Sequence, residues 1–151
     1  MENNNMIYRT MTKENYNHCK AIADELEKIA EGNCYKCPIC GKIFEYDIEA
    51  YNESTEEYTC PHCGAISDVT EIEEYSLFNY FNDYLDVTYY VDANKQYEGA
   101  RICIEYGGPS VYIDTYEGKV KLYWWNEYAE AHLWSTVCTA IDNIFMEIYS
   151  C

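Results

Sequence analysis

Over residues 12–31 the apolar side chains Cys19, Ile22, Leu26 and Ile29 recur at three- and four-residue intervals, with Lys13, Glu14, Asp24, Glu25, Glu27 and Lys28 between them. This spacing predicts an amphipathic helix, which Gly32-Asn33 ends. Over 42–50 the period changes to two, which predicts a strand running into a turn at 52–55. A short helix is expected over 76–85, with Ser76 as its cap and Leu77, Phe78, Phe81 and Leu85 as its apolar positions. Then come four β-branched and aromatic runs, 87–91, 101–106, 110–115 and 119–125, separated by Asn94, Gly99, Gly107-Gly108-Pro109 and Glu117-Gly118. Four strands in an antiparallel meander fit that punctuation. Ile102, Ile104, Val111, Ile113, Val120, Leu122 and Trp124 share one parity and form an apolar face, leaving Arg101, Glu105, Tyr112, Asp114, Lys121 and Tyr123 on the other. A last helix over 135–149 supplies Val137, Ile141, Ile144, Phe145 and Ile148 as its lid. The expected class is α+β, with helices on one side of an antiparallel sheet.

The cysteines add a second organising principle. Cys37-x2-Cys40 and Cys60-x2-Cys63 stand 19 residues apart, close to the spacing of a four-thiolate metal site. Two intervening residues let a tight turn aim both sulfurs at one tetrahedral ion, and Gly41 and Gly64 allow the backbone to point amides at them. Zn2+ suits such a set because it is redox-inert and imposes no other geometry, although iron binds the same ligands. Thiolate would fill all four positions, so the ion is expected to be structural, with no place for water or substrate. Cys34-x2-Cys37 is an equally legal pair and could displace Cys40, while His62, between two ligands, is expected to point outward.

Charge narrows the functional classes. The 151 residues carry 27 Asp+Glu against 10 Lys+Arg, a formal net charge of -17. Such a chain repels nucleic acid, because affinity for phosphate comes from Lys and Arg displacing counterions. A content of 17% aromatic residues argues against disorder. From Ile43 to Asn94 there is no Lys or Arg, while 13 acids are present. The functional reading of that stretch is a docking surface for a basic, nucleic-acid-binding protein, with Glu45, Asp47, Glu49, Glu53, Glu56, Glu57, Glu71, Glu73 and Glu74 as the partner-binding candidates. The plainer reading is a solvated acidic face. Tyr16, Tyr46, Tyr51, Tyr58, Tyr75 and Tyr80 are candidate anchors for Arg guanidinium groups, against core and rim packing as the ordinary role. No phosphate loop, His-Glu-x-x-His or Gly-x-Ser-x-Gly occurs, and Cys138 with His132 is a poor nucleophile pair, so no enzyme is expected. No stretch has the length and apolarity of an export signal or a membrane span, which places the expected protein in the cytoplasm with reduced thiols and no membrane partner.

The Cys-Pro-x-Cys-Gly knuckles at 37–41 and 60–64 resemble the zinc-ribbon family. With them the expected architecture becomes an N-terminal helix (1–33), a zinc-ribbon β-hairpin module (34–69) and an α+β domain (70–151) whose antiparallel four-stranded sheet is packed by the C-terminal helix. The run from Ile102 through Gly107-Gly108-Pro109 to Thr115, followed by Leu122-Tyr123-Trp124-Trp125 and the closing helix, resembles small accessory proteins of phages and mobile elements of Firmicutes. An acidic, zinc-containing protein of that kind is similar to the type II-A anti-CRISPR proteins. The resemblance implies a type II CRISPR effector nuclease as partner in the host bacterial cytoplasm, bound at its recognition lobe or DNA channel so that target-DNA recognition or loading fails. The alternative is a zinc-ribbon adaptor or subunit in a transcription or translation complex.

Overall fold

The computed structural model describes residues 12–151, so the part of the expected N-terminal segment before Thr12 lies outside the described residues. The described chain divides into two compact units, Lys28–Tyr80 and a unit made of residues 12–27 with Phe81–Cys151. The fold is of the α+β class expected from the sequence.

Helix α1 spans Lys13–Ala30 and buries Cys19, Ile22, Ala23, Leu26 and Ile29, the face its periodicity marked. The larger unit is a five-stranded antiparallel meander, β7 (Asp86–Val91), β8 (Tyr97–Glu105), β9 (Ser110–Asp114), β10 (Lys119–Trp124) and β11 (Glu127–His132), ordered β11-β10-β9-β8-β7. The first six strands belong to the smaller unit and are given with the metal centre. The sequence predicted four strands in this sheet. The fifth, Glu127-Tyr128-Ala129-Glu130-Ala131-His132, is built from weak strand formers, and its pairing against β10 holds it in place. Trp125, expected inside a strand, instead forms a two-residue turn with Asn126 between the paired residues Trp124 and Glu127. Gly99 is likewise no turn residue. It lies within β8, and the turn falls at 92–96, where the Asp92 carboxylate accepts from the Asn94 and Gln96 amides.

One face of this sheet carries Ala100, Ile102, Val111, Ile113, Val120, Leu122, Ala129 and Ala131, all buried. Helix α3 (Ser135–Ser150) supplies Val137, Cys138, Ile141 and Phe145 to the core, with Phe145 edge-on to Phe81 and Tyr84. Asp142 of α3 accepts from Tyr97 and Thr115 at 2.6 and 2.7 Å, which fixes the helix against β8. Ile148, expected in the lid, is exposed. A bulge between Cys103 and Glu105 shifts the parity, so Glu105 lies opposite Val111 and meets His18 of α1 at 3.0 Å, while Ile104 is only half-buried. Glu127 accepts from Asn15 of α1 at 2.6 Å.

Of the residues expected on the other face, Arg101, Glu105, Tyr112, Asp114, Lys121 and Tyr123, two are buried. Asp114 is 0% exposed and Lys121 8%. Asp114 accepts from the Tyr90 hydroxyl at 2.7 Å and the Glu117 amide at 2.8 Å, and Lys121 Nζ lies 3.6 Å from it and 2.6 Å from Glu117. The aromatic content explains the burial. Tyr90 stacks on Tyr116, and the Arg101 guanidinium lies 4.0 Å over the Tyr112 ring, so these planes roof the ion network. The expected helix over 76–85 shrinks to α2 (Leu77–Tyr80) followed by a 3-10 turn (Phe81–Asp83), which buries Leu77 and Phe81 and leaves Phe78 and Leu85 exposed.

Two outcomes follow. A Cβ at Gly99 would stand 2.8 Å from Tyr116 Cβ, so Gly99→Ala should lower stability by about 1–3 kcal/mol, read as a fall in the urea midpoint. Burial and the Asp114 carboxylate push the Tyr90 hydroxyl up to about 12, and burial also raises Tyr97 and Tyr128. Unfolded tyrosines ionise near pH 10, so above that pH the unfolded state holds fewer protons and stability must fall as pH rises toward about 12. Urea titrations across that window should show the fall, and Tyr90→Phe should flatten it.

Candidate metal centre

In the smaller unit two hairpins are built alike. The first pairs β1 (Cys34–Lys36) with β2 (Ile43–Glu45) around Cys37–Gly41, and the second pairs β4 (Glu57–Thr59) with β5 (Ile66–Asp68) around Cys60–Gly64. The Cys37 amide donates to the Lys42 carbonyl and Gly41 to that of Cys37; the Cys60 amide donates to Ala65 and Gly64 to Cys60, all at 2.9–3.0 Å. Gly41 and Gly64 have φ of 74° and 73°, a left-handed conformation that glycine adopts without a Cβ clash. Each turn aims amides at its first sulfur, from Ile39 and Cys40 onto Cys37 and from His62 onto Cys60, at 3.4–3.5 Å. β6 (Glu73–Glu74) adds to the β1 edge, and β3 (Tyr51–Asn52) pairs with β4.

The two turns bring Cys37, Cys40, Cys60 and Cys63 together, with all four sulfurs within 4.8 Å of one another. Cys37 to Cys63 is 3.9 Å and Cys40 to Cys60 is 3.7 Å. Sulfurs about 2.3 Å from a shared tetrahedral ion stand about 3.8 Å apart, so the donor set fits such an ion, and these separations are far beyond a disulfide bond. A cation would suit the electrostatics of this set. The Cys40 amide, helped by that of Ile39, pulls the Cys37 thiol down to about 6. At Cys63 the Ala65 amide acts downward, yet burial and the sulfurs of Cys60, Cys40 and Cys37 push the thiol up to about 11. One thiolate is stabilised, and a fourth is opposed by its neighbours unless positive charge sits between them. The site is zinc-ribbon-like and could hold a metal ion, with four protein donors closing the coordination shell.

Cys34, the rival ligand, lies outside the cluster, buried opposite Glu45. His62 is exposed, its ring nitrogen 3.1 Å from the Ile43 carbonyl. A small apolar cluster supports the site, with Tyr35, Tyr46, Ala50, Tyr51 and Ile72 packed against it. Phe44 and Tyr58 stack at 5.2 Å, and Cys37 and Cys60 themselves complete the buried cluster.

The acidic candidates separate. Glu45, Asp47, Glu49 and Glu53 line one open concavity of about 780 Å3, together with Tyr51 and Tyr58 and no Lys or Arg. Glu56, Glu57, Glu71, Glu73 and Glu74 are not in its wall. Sequence periodicity missed the cause. The strand expected over 42–50 stops at Glu45, because Asp47 accepts from the Glu49 amide and caps a 3-10 turn (Ile48–Ala50) that folds the acids around the hollow. The Asp47 amide donates to the Tyr58 hydroxyl at 2.8 Å, so Tyr58 is wall and core, not an exposed anchor. Tyr46, Tyr51, Tyr75 and Tyr80 are half-buried and Tyr16 is exposed. Cys138 is buried, its sulfur directed at the Leu133 carbonyl, and burial pushes its thiol up to about 11. Among the described residues no helix is long and apolar enough to cross a membrane. Compared with protein-family models, with curated proteins and with solved structures, the chain matches none.

Chelation and Cys60→Ser are both expected to open the smaller unit. Amide hydrogen exchange at Phe44 and Tyr58 should rise by about 100-fold or more, and unchanged protection would show that the thiols are structurally idle.

Proposed function

We propose that this protein is a metal-ordered inhibitor that docks on a basic, nucleic-acid-binding protein through the Glu45–Asp47–Glu49–Glu53 concavity. The carrying observation is that hollow, whose wall carries Glu45, Asp47, Glu49 and Glu53 and, among the described residues, no Lys or Arg. In the whole Lys28–Tyr80 unit, eleven acids face Lys28, Lys36 and Lys42, and Lys28 lies 3.1 Å from Glu45 at the edge of the acid group. Ten of those acids are exposed, so most of the charge is neither buried nor paired within the unit. A surface of this kind attracts cationic protein and repels DNA, RNA and anionic lipid.

The ion is read as Zn2+, since four thiolates at tetrahedral spacing and a closed shell suit a redox-inert structural metal. The partner is read as a type II RNA-guided nuclease. That rests on the resemblance of 102–125 to mobile-element proteins and on the basic channels such nucleases use for guide and target DNA. Occupation of one of those basic surfaces would exclude DNA and leave the nuclease chemistry untouched.

Elemental analysis of folded protein should return one zinc per chain. Glu49→Lys with Glu53→Lys should weaken binding to a guide-loaded type II nuclease by about tenfold or more, and affinity should fall steeply with salt. Glu73→Lys with Glu74→Lys should have the smaller effect. Normal target-DNA binding and cleavage in saturating excess of this protein would rule out the nuclease, and capture of polymerase or ribosome components would favour the adaptor reading.

A further inference from the structure

Trp125 is 88% exposed and has φ 55°, a conformation that bulky residues rarely adopt and that Asn or Gly normally fills in such hairpin turns. Two unfavourable features, an exposed indole and a strained backbone, thus coincide at one residue of the β10–β11 tip. The sheet register shows what stands beside it. Tyr123 pairs with Ser110 and Glu105 with Val111, so Tyr106, which follows β8, leaves the sheet at the same end two strands away. At a strand spacing of about 4.8 Å the two chains are about 10 Å apart there. Tyr106 is 77% exposed. Leu85, whose amide donates to the Cys103 carbonyl at 2.9 Å, is 58% exposed at the next strand along. Three large apolar side chains therefore crown one end of the sheet.

We infer that this crown, centred on Trp125 and Tyr106, is a second docking surface, and that its occupant is an arginine-bearing segment of a protein. Charge selects the occupant. Asp83 and Asp86 precede and open β7, Glu105 closes β8, Glu127 opens β11, and Glu14 adjoins the Asn15 that bonds Glu127, against Lys13 and His18. A second copy of this chain would bring the same acids and a further charge of -17. Nucleic acid and anionic lipid are repelled for the same reason. An arginine gains both from the carboxylates and from the ring faces, to which its planar guanidinium is suited. The molecule already makes this contact internally, on the same sheet, where Arg101 lies 4.0 Å over Tyr112 and 5.9 Å from Tyr123. The inference rests on the reading of a cationic protein partner, but it stands on different residues.

The test is a titration of the full, metal-loaded chain with nona-arginine and nona-lysine peptides, followed by NMR at the indole N–H groups of Trp124, Trp125 and Trp134. The Trp125 signal should shift saturably, with nona-arginine at least about threefold tighter than nona-lysine. Trp125→Asn should weaken nona-arginine binding about fivefold while the urea midpoint holds or rises, because Asn tolerates this backbone. Trp134→Ser should leave the affinity unchanged. A lowered midpoint would give Trp125 a structural job and overturn the inference, as would equal affinity for the two peptides. An unmoved Trp125 signal with shifted Glu49 and Glu53 amides would remove this surface and keep the concavity, whereas no shift at either would remove both. A Trp125 signal that moves with protein concentration alone would assign the crown to self-association and overturn the arginine partner.

Discussion

Four sulfur atoms, held 3.7–3.9 Å apart across each of two pairs, impose the condition on which the smaller unit depends. Thiolates at that distance repel, and protonated thiols at that distance would be a poor substitute for an apolar core. The buried cluster beside the sulfurs is small, Phe44 and Tyr58 with Cys37 and Cys60, and half-buried Tyr35, Tyr46, Ala50, Tyr51 and Ile72 pack against it. A unit of this size covers limited apolar surface against chain entropy, so an ion held by the four sulfurs would add its binding free energy to the folding free energy. Everything attached to the two knuckles inherits that dependence, including the β3–β4 turn and the 3-10 turn at Ile48–Ala50.

The acidic surface is a consequence of the same arrangement. Self-repulsion among eleven carboxylates opposes compaction, and an ion tying Cys37 to Cys63 and Cys40 to Cys60 would resist it from within. A larger apolar core could oppose the repulsion too, but it would need residues in the places now taken by Glu45, Asp47, Glu49 and Glu53. Metal ligation would free those positions for charge, and the Asp47 cap turns the chain where they line the concavity.

The larger unit meets the opposite problem, with abundant aromatic surface and a helix-covered sheet. Its second face uses tyrosine planes and one arginine to shelter Asp114 and Lys121, a buried pair that is tolerable because Tyr90, Glu117 and the Glu117 amide satisfy it. Loss of the Tyr90 hydroxyl would take one hydrogen-bond donor from that carboxylate. Tyrosine thus serves here as roof and hydrogen-bond donor together, which accounts for much of the high aromatic content.

Local chemistry was legible in the chain wherever neighbouring residues decide the structure. The period of Cys19, Ile22, Leu26 and Ile29 specified a helix and its buried face, and the Cys-Pro-x-Cys-Gly pairs specified two turns and their four donors. Strand parity from Val111 to Leu122 likewise marked the core face. What escaped the sequence depended on partners distant along the chain. β11 exists because β10 lies beside it, Glu105 changes sides because one bulge shifts the register, and Asp114 is buried where Tyr90 of β7 and Lys121 of β10 meet it. The gathering of Glu45, Asp47, Glu49 and Glu53, with Glu73 and Glu74 left elsewhere, also belongs to the tertiary structure. The sequence determined which groups carry charge and which sulfurs come together, because those follow from residue type and short spacing. Only the fold decided which charges face a common hollow, because that depends on how separate turns are brought together in space.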